Sequence, residues 1–365
     1  MRIYHRECLS LAKAGYEVAL AAHALPGETL NPTVEFLSLG EYGTPGLSWR
    51  LRERYLRCRR AFDWARHSRA ALFHYCSPEF IPWAARLKRT TRRPVVFDCM
   101  EDFEGYARQR RSVPAALSRP LVLCVSRLLR LAASTCDAII TADRGTAELL
   151  RPHARRVVVL HNFPSLVLFP DSSEEAGGKE YDVVYHGSIP RYHLDVCLAV
   201  DAVLRDRGHN LKWRFIGRIA ERQWLEEELN RRGVREWFII GGQIPHDQVA
   251  REIRKAKVGI VPLPDLPKFR NNIPQKIFEF MALRMPVVLS DLPPSRPFVG
   301  DGKCAIMVPP GDCGAYADAI IRLLGDRGLR ERMGAEGRRR VESEYNWEFE
   351  SHKLLDLYAE LLRAS

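Results

Sequence analysis

Residues 268–291 read KFRNNIPQKIFEFMALRMPVVLSD, and the order of side chains in this run predicts a helix followed by a strand. Proline suits the first turn of a helix and biases the residue before it toward extended backbone. Pro274 therefore starts a helix over 274–284 and holds Ile273 outside it. Ile277, Phe280 and Met281 recur at helical spacing and are expected to face a core, with Arg284 cutting that stripe short. PVVLSD, directly after, reads as the strand. Lys276 and Glu279 stand three apart on another face, near the helix N-terminus and flanked by Asn271 and Asn272. A helix start with free amides suits an anion such as a diphosphate. Glu279 can accept hydrogen bonds from ribose hydroxyls, as acidic residues do in other nucleotide-binding folds. The competing reading is a surface i,i+3 ion pair worth roughly a few tenths of a kcal/mol. Spacing does not choose between them.

The same alternation extends outward through the chain. Short β-branched or apolar runs (YEVALAA, TVEFLSL, ALFHYC, PVVFDC, AIITA and VVVLHN, then DVVYHG, LKWRFIG, WFIIGG, VGIVPL and AIMVPP) are separated by longer helical patterns. That is the signature of βαβ units and parallel sheets. With 365 residues two domains are expected. The small, polar, glycine-containing stretch 169–180, FPDSSEEAGGKE, reads as the linker between them. The domains are expected at 1–168 and 181–345, with a last helix over 346–365.

At this point the sequence resembles the retaining family 4 glycosyltransferases of GT-B fold, two Rossmann-like domains facing across a cleft. Their donor signature is a glutamate, seven residues, a second glutamate, then Met-Ala-x-x-x-Pro-Val-Val. Glu279, Met281, Ala282, Pro286, Val287 and Val288 match it, and Asn271 stands at the first glutamate position. The Asn-x-x-Pro-x-Lys-x-Phe-Glu order is similar to one branch of that family. The resemblance implies that Glu279 binds the nucleotide ribose and that position 271 contacts the donor sugar. VVYHGSIPRYHLD resembles the Gly-rich turn that opens the nucleotide domain: Gly187 and Ser188 match the turn, and Arg191 a basic position after it. Ser188 replaces the usual arginine, which leaves the donor phosphates to Arg191 and Lys276. FIGRI and IGGQIPHDQV, with Gly217 and Gly242, look like the loops that frame the base. In the first domain PVVFDCMEDF resembles an Asp-x-His-Glu-Asp segment facing the cleft on the acceptor side. Asp98, Glu101 and Asp102 match, and Met100 stands at the histidine position, where a thioether can neither donate a hydrogen bond nor transfer a proton. The last helix is expected to cross back onto the first domain. Family members have a strand before the helix that RIYHRECLSLAKAG matches, so the first domain is expected to lack its first strand, through a start assigned too late or a truncated product.

Charge and composition bound the partners. Residues 1–170 hold 26 Lys+Arg against 15 Asp+Glu, whereas the remainder is balanced, so the whole formal excess of +11 lies in the first half. That half is expected to face something anionic, with a membrane surface or a lipid-linked acceptor ahead of nucleic acid, for which no aromatic-basic motif is present. Over 47–68, Leu47, Leu51, Tyr55, Cys58 and Phe62 make an apolar stripe amid seven arginines. Such a helix packs on a sheet or lies in a membrane interface. The most apolar run, PLVLCVSRLLRLAAS, is broken by Arg127 and Arg130 and is not a span. Nine cysteines without a C-x-x-C pair indicate neither a disulfide framework nor a zinc site, and a reducing cytoplasm is the expected compartment, with peripheral attachment to the inner membrane face. The expected activity is sugar transfer from a UDP- or GDP-linked donor to a saccharide or lipid-linked acceptor, with no metal and no further cofactor. The alternative is an inactive homologue that binds nucleotide or acts as a scaffold; a GT-B-like sugar-nucleotide epimerase is a third reading.

Overall fold

Every expected strand forms, and pairing sorts the strands into three all-parallel sheets. The structure, a computed structural model, describes residues 2–23, 31–40, 47–108, 115–171 and 178–364; the side chains at 47–51, 115, 246 and 247 lie outside that description. Contacts divide the chain into two units, Met1–Asn162 with Glu350–Ser365, and Phe163–Phe349. The expected boundaries lay at 168 and 346, and residues 172–177 of the expected linker fall outside the described residues.

In the first unit β1 (Val18–Ala22) pairs only with β2 (Val34–Ser38). A second sheet runs β3-β4-β5-β6, from Phe73–Tyr75, Val95–Cys99, Ala138–Thr141 and Val157–Val159. All five residues of β4 are buried, as a central parallel strand requires. Helices α1 (Leu47–His67), α2 (Ile81–Thr91) and α3 (Ala115–Thr135) belong to this unit. Of the stripe expected on α1, Phe62 is buried, Cys58 is half-buried and Tyr55 is exposed; the side chains of Leu47 and Leu51 lie outside the description. The helix expected in RIYHRECLSLAKAG is a π-helix at Arg2–Cys8 followed by an α-helical turn at Leu9–Lys13. The wider turn has a physical correlate: it brings residues five apart together. Arg2 Nε donates to Glu7 Oε1 at 2.8 Å, both side chains being buried.

The second unit holds one six-stranded sheet: β7 (Tyr181–His186), β8 (Trp213–Ile216), β9 (Phe238–Ile240), β10 (Ala256–Val261), β11 (Val287–Ser290) and β12 (Ala305–Val308), in the order β12-β11-β10-β7-β8-β9. Counted within the unit this is 6-5-4-1-2-3, the doubly wound order, which reverses direction between β7 and β10. One face carries Tyr185, Trp213, Phe215 and Phe238 beneath Leu194 and Leu198 of α4 (Arg191–Asp206); the other carries Val184, Ile216 and Val287 beneath Ile277, Phe280 and Met281 of α5 (Lys276–Ala282). Helix α5 begins two residues later than expected, so Pro274 precedes it. The Pro274 and Gln275 carbonyls accept from the amides of Ile277 and Phe278, at 3.2 and 3.0 Å. Those amides are therefore occupied, and the anion site expected from free helix amides is reduced accordingly. At the far end, buried Arg338 donates to the carbonyls of Ala282 and Phe169 at 2.7 and 2.8 Å, supplying one of the helix's open acceptors.

The final helix, α6 (Trp347–Arg363), belongs to the first unit from Glu350 onward. There Glu350 Oε1 accepts from the His161 amide at 2.7 Å, and Tyr358 lies 2.8 Å from His74 Nδ1. No helix among the described residues is long and apolar enough to cross a membrane.

Candidate nucleotide site in the second unit

Successive side chains of a strand point to opposite faces, and the last two residues of β7 show what that does here. Tyr185 points toward α4, where its hydroxyl lies 2.6 Å from His193 Nδ1. His186 points toward α5, where its Nε2 lies 3.3 Å from Glu279 Oε2 and its ring meets Phe280 edge-on at 5.0 Å. Gln275, one helical turn before Glu279, donates to Glu279 Oε1 at 2.7 Å. Glu279 is only 7% exposed, which removes the surface ion-pair reading.

Directly after β7 the chain turns at Gly187 with φ of 96°. Lys276 reaches this turn: a Cβ on Gly187 would stand 3.1 Å from its Cε and 3.4 Å from its Nζ, which lies 5.0 Å from the Tyr185 ring centre. Gly217, after β8, has φ of 122°, and a Cβ there would meet the Gly187 carbonyl oxygen at 2.2 Å, so glycine is required. The Gly217 amide donates to the Gly242 carbonyl at 3.0 Å. The three expected glycines are thus consecutive parts of one wall, at the carboxyl ends of β7, β8 and β9.

Cationic side chains gather here. Burial lowers the Lys276 ammonium to about 8; Glu279 opposes the shift and Lys268 adds to it. Burial, then Lys276 and Lys268, press His193 down to about 3, so it is neutral. Burial also raises the Tyr185 phenol, which therefore keeps its proton and its hydrogen bond to His193. His193 Nε2 and Asn272 Oδ1 are buried without a hydrogen-bond partner among the described residues. Two lysines repelling one another beside unused polar atoms are suited to a polyanion, and a buried carboxylate next to them to a pair of hydroxyls. The place fits the topology, since ligands of doubly wound sheets bind at the carboxyl ends of strands where the order reverses. Lys268, Asn271 and Asn272 all lie between β10 and α5.

Arg191 is directed elsewhere: its guanidinium lies 4.1 Å over the Trp224 ring and 3.3 Å from Glu221. Ser188 is exposed at the turn, and Asn271 is half-buried. The residues expected on the acceptor side belong to the first unit, at the end of β4. Asp98 is completely buried and 3.2 Å from Arg2, so it is a member of an ion-pair network, in place of the ligand-facing role expected of it. Asp102 is buried and accepts from the Gly105 amide at 2.8 Å, capping the short helix Phe103–Arg108. Glu101 is exposed and Met100 half-buried. Glu7, His74 and Asp98 each bring a metal-ligating type of atom within 4.8 Å of the others, which spacing along the chain did not reveal. The Arg2 guanidinium already lies against both carboxylates.

His186, His193, Lys268 and Gln275 escaped sequence reading. Gln275 could have been found four residues before Glu279, and His186 by two-residue alternation from Val184; His193 and Lys268 carried no signal.

Residues 2–165 match the Glycosyltransferase Family 4 profile, and residues 180–326 match Glycosyl transferases group 1. The chain has the domains of a family 4 glycosyltransferase. Among solved structures, this GT-B chain is similar to sucrose-phosphate synthase from Thermosynechococcus elongatus, with a TM-score of 0.78 and 18% identity, over 98% of this chain and 92% of that one. Anabaena Alr3699/HepE in complex with UDP-glucose aligns with a TM-score of 0.69 and 13% identity, over 97% and 95%. In sequence it is 29% identical over 180 residues to alpha-D-kanosaminyltransferase of Streptomyces kanamyceticus, covering 49% of this chain and 45% of that protein. It is 39% identical over 82 residues, 22% of each chain, to phosphatidyl-myo-inositol mannosyltransferase of Mycobacterium leprae. The matches thus span less than half the length of these relatives.

Proposed function

We propose that this protein transfers a sugar from a nucleotide-sugar donor, with retention of configuration, to a saccharide or lipid-linked acceptor in glycan synthesis. The observation that carries the reading is Lys276, its ammonium lowered to about 8, beside buried Glu279 where the six-stranded sheet reverses order. Lys276 and Lys268 hold the donor diphosphate, and Glu279, oriented by His186 and Gln275, accepts from the ribose hydroxyls. Gly187, Ser188, Gly217 and Gly242 let backbone come close to the nucleotide, and Asn271 and Asn272 face the donor sugar. Developing charge on the departing diphosphate is stabilised by these cations, without a metal or a further cofactor. A UDP-linked donor is the first to test, because one neighbour of like fold is described with UDP-glucose. The acceptor is membrane-proximal, in keeping with the basic first half and with a relative whose name specifies a phosphatidyl-inositol substrate. The protein acts at the cytoplasmic membrane face.

The test is thermal unfolding with UDP, GDP and their sugar conjugates. A selective rise with one nucleotide, lost in Glu279→Gln, is expected; no rise with any would overturn the reading. Ser188 in place of a basic residue and the diversion of Arg191 to Glu221 favour a second reading, a nucleotide-binding homologue without turnover. Nucleotide binding without release of nucleotide diphosphate from any conjugate would select it.

A further inference from the structure

The run AALSRPLVLCVSRLLRLAAST, residues 115–135, contains three arginines and no acidic residue, and it forms α3. Its inner face is settled: Leu129, Ala132 and Ala133 are buried with Ile81 and Ala84 of α2 in the core of the first unit. The outer face is apolar where water should favour polarity. Leu117, Leu123 and Leu131 are exposed by 57%, 51% and 37%. At 3.6 residues per turn these leucines share an arc of about 160° with Arg119, Arg127 and Arg130. The leucines extend along about 21 Å of helix. Arg130 feels the Glu104 carboxylate, which also bonds Ser126 of α3, whereas Arg119 and Arg127 have no ion pair within 4 Å among the described residues.

Helix α1, the more basic one, is different. It also exposes Tyr55 and Leu56, but it carries acids of its own and four of its arginines are answered: Arg57 by Glu53 at 2.8 Å, Arg66 and Arg59 by Asp63 at 3.1 and 3.7 Å, and Arg54 by Glu79 at 3.0 Å. An apolar stripe flanked by Arg119 and Arg127, on a helix that carries no acid of its own, is complementary to a negatively charged lipid surface, where leucines enter the acyl boundary and guanidinium groups meet phosphates.

We propose that the outer face of α3 docks this protein on an anionic bilayer. The inference rests on the membrane-proximal acceptor of the proposed function and assigns the contact to α3 instead of α1. The experiment is co-sedimentation of the full chain with phosphatidylcholine vesicles, with and without phosphatidylglycerol. Wild type is expected to bind the anionic vesicles about tenfold better. Leu117→Asp with Leu123→Asp, and separately Arg127→Glu, are each expected to weaken that binding about tenfold, with Leu56→Asp on α1 as wild type. Circular dichroism melting checks that the variants fold, and Arg127→Glu, which alters only an exposed charge, keeps the test intact if the leucine pair does not. Unchanged binding by the α3 variants overturns the assignment and leaves the membrane reading standing. Failure of wild type to bind anionic vesicles overturns both. Loss of a dimer in light scattering, with vesicle binding unaltered, also overturns it and makes the face a contact between copies.

Discussion

Each unit gathers a group of charges near the end of a strand, and the two groups differ in how those charges are met. In the first, Arg2 lies between Glu7 and Asp98 and pairs with both, while the two carboxylates repel one another. Burial still raises the Asp98 carboxyl well above its usual range, against the pull of Arg2. In the second, Lys276 and Lys268 both press on His193, Lys268 presses on Lys276, and Glu279 opposes the shift of Lys276. A buried charge with its own counter-ion is part of the scaffold. A lysine whose charge is disfavoured by burial and by a like-charged neighbour is suited to an anionic ligand.

The largest effect expected is on stability. Arg2→Met leaves two buried carboxylates without their cation and should cost about 3–5 kcal/mol of unfolding free energy in urea titration. Nucleotide-induced stabilisation in the second unit should persist. Unaltered stability would mean that the Arg2 network is not structural, and the contrast would fail. Next, Glu279→Gln removes a charge-assisted contact of roughly 1.5–3 kcal/mol, so calorimetric affinity for the nucleotide should fall about tenfold or more. Lys276→Met should weaken nucleoside diphosphate binding about tenfold while leaving nucleoside binding nearly unchanged. It removes the repulsion with Lys268, so no loss of stability is expected; equal losses for nucleoside and diphosphate would point to misfolding.

The smallest effect is the pH response, and its sign follows from the lysine. The ammonium titrates near 8, below the ordinary lysine range, and its charged form is the one that attracts a diphosphate. Affinity is therefore full below pH 8 and lost as pH rises through it, by at most about tenfold between pH 7 and 9. Lys276→Met should flatten that profile. A wild-type profile already flat over this range would separate Lys276 from the phosphates.

The periodicity of short apolar runs was enough to place the strands, because burial on both faces of a parallel sheet demands them. The run 268–291 likewise made Ile277, Phe280 and Met281 core residues, and the motif singled out Glu279 and Lys276. Pairing between distant strands leaves no trace in local spacing, so the division of the first unit's strands into two sheets was not legible. Nor was the capture of Asp98 by Arg2, 96 positions away. Asp102 looked like a ligand-facing carboxylate and is a cap, because the same side chain accepts equally well from a backbone amide.

The amino-acid order alone determined which segments are helices and strands and which helix start carries a lysine and a glutamate. Both depend on neighbours a few residues apart. Tertiary structure decided which charges are compensated, because desolvation and Coulomb interactions act over distance in space and not along the chain. For that reason His186, His193 and Lys268 joined the site only once β7, α4 and α5 were brought together.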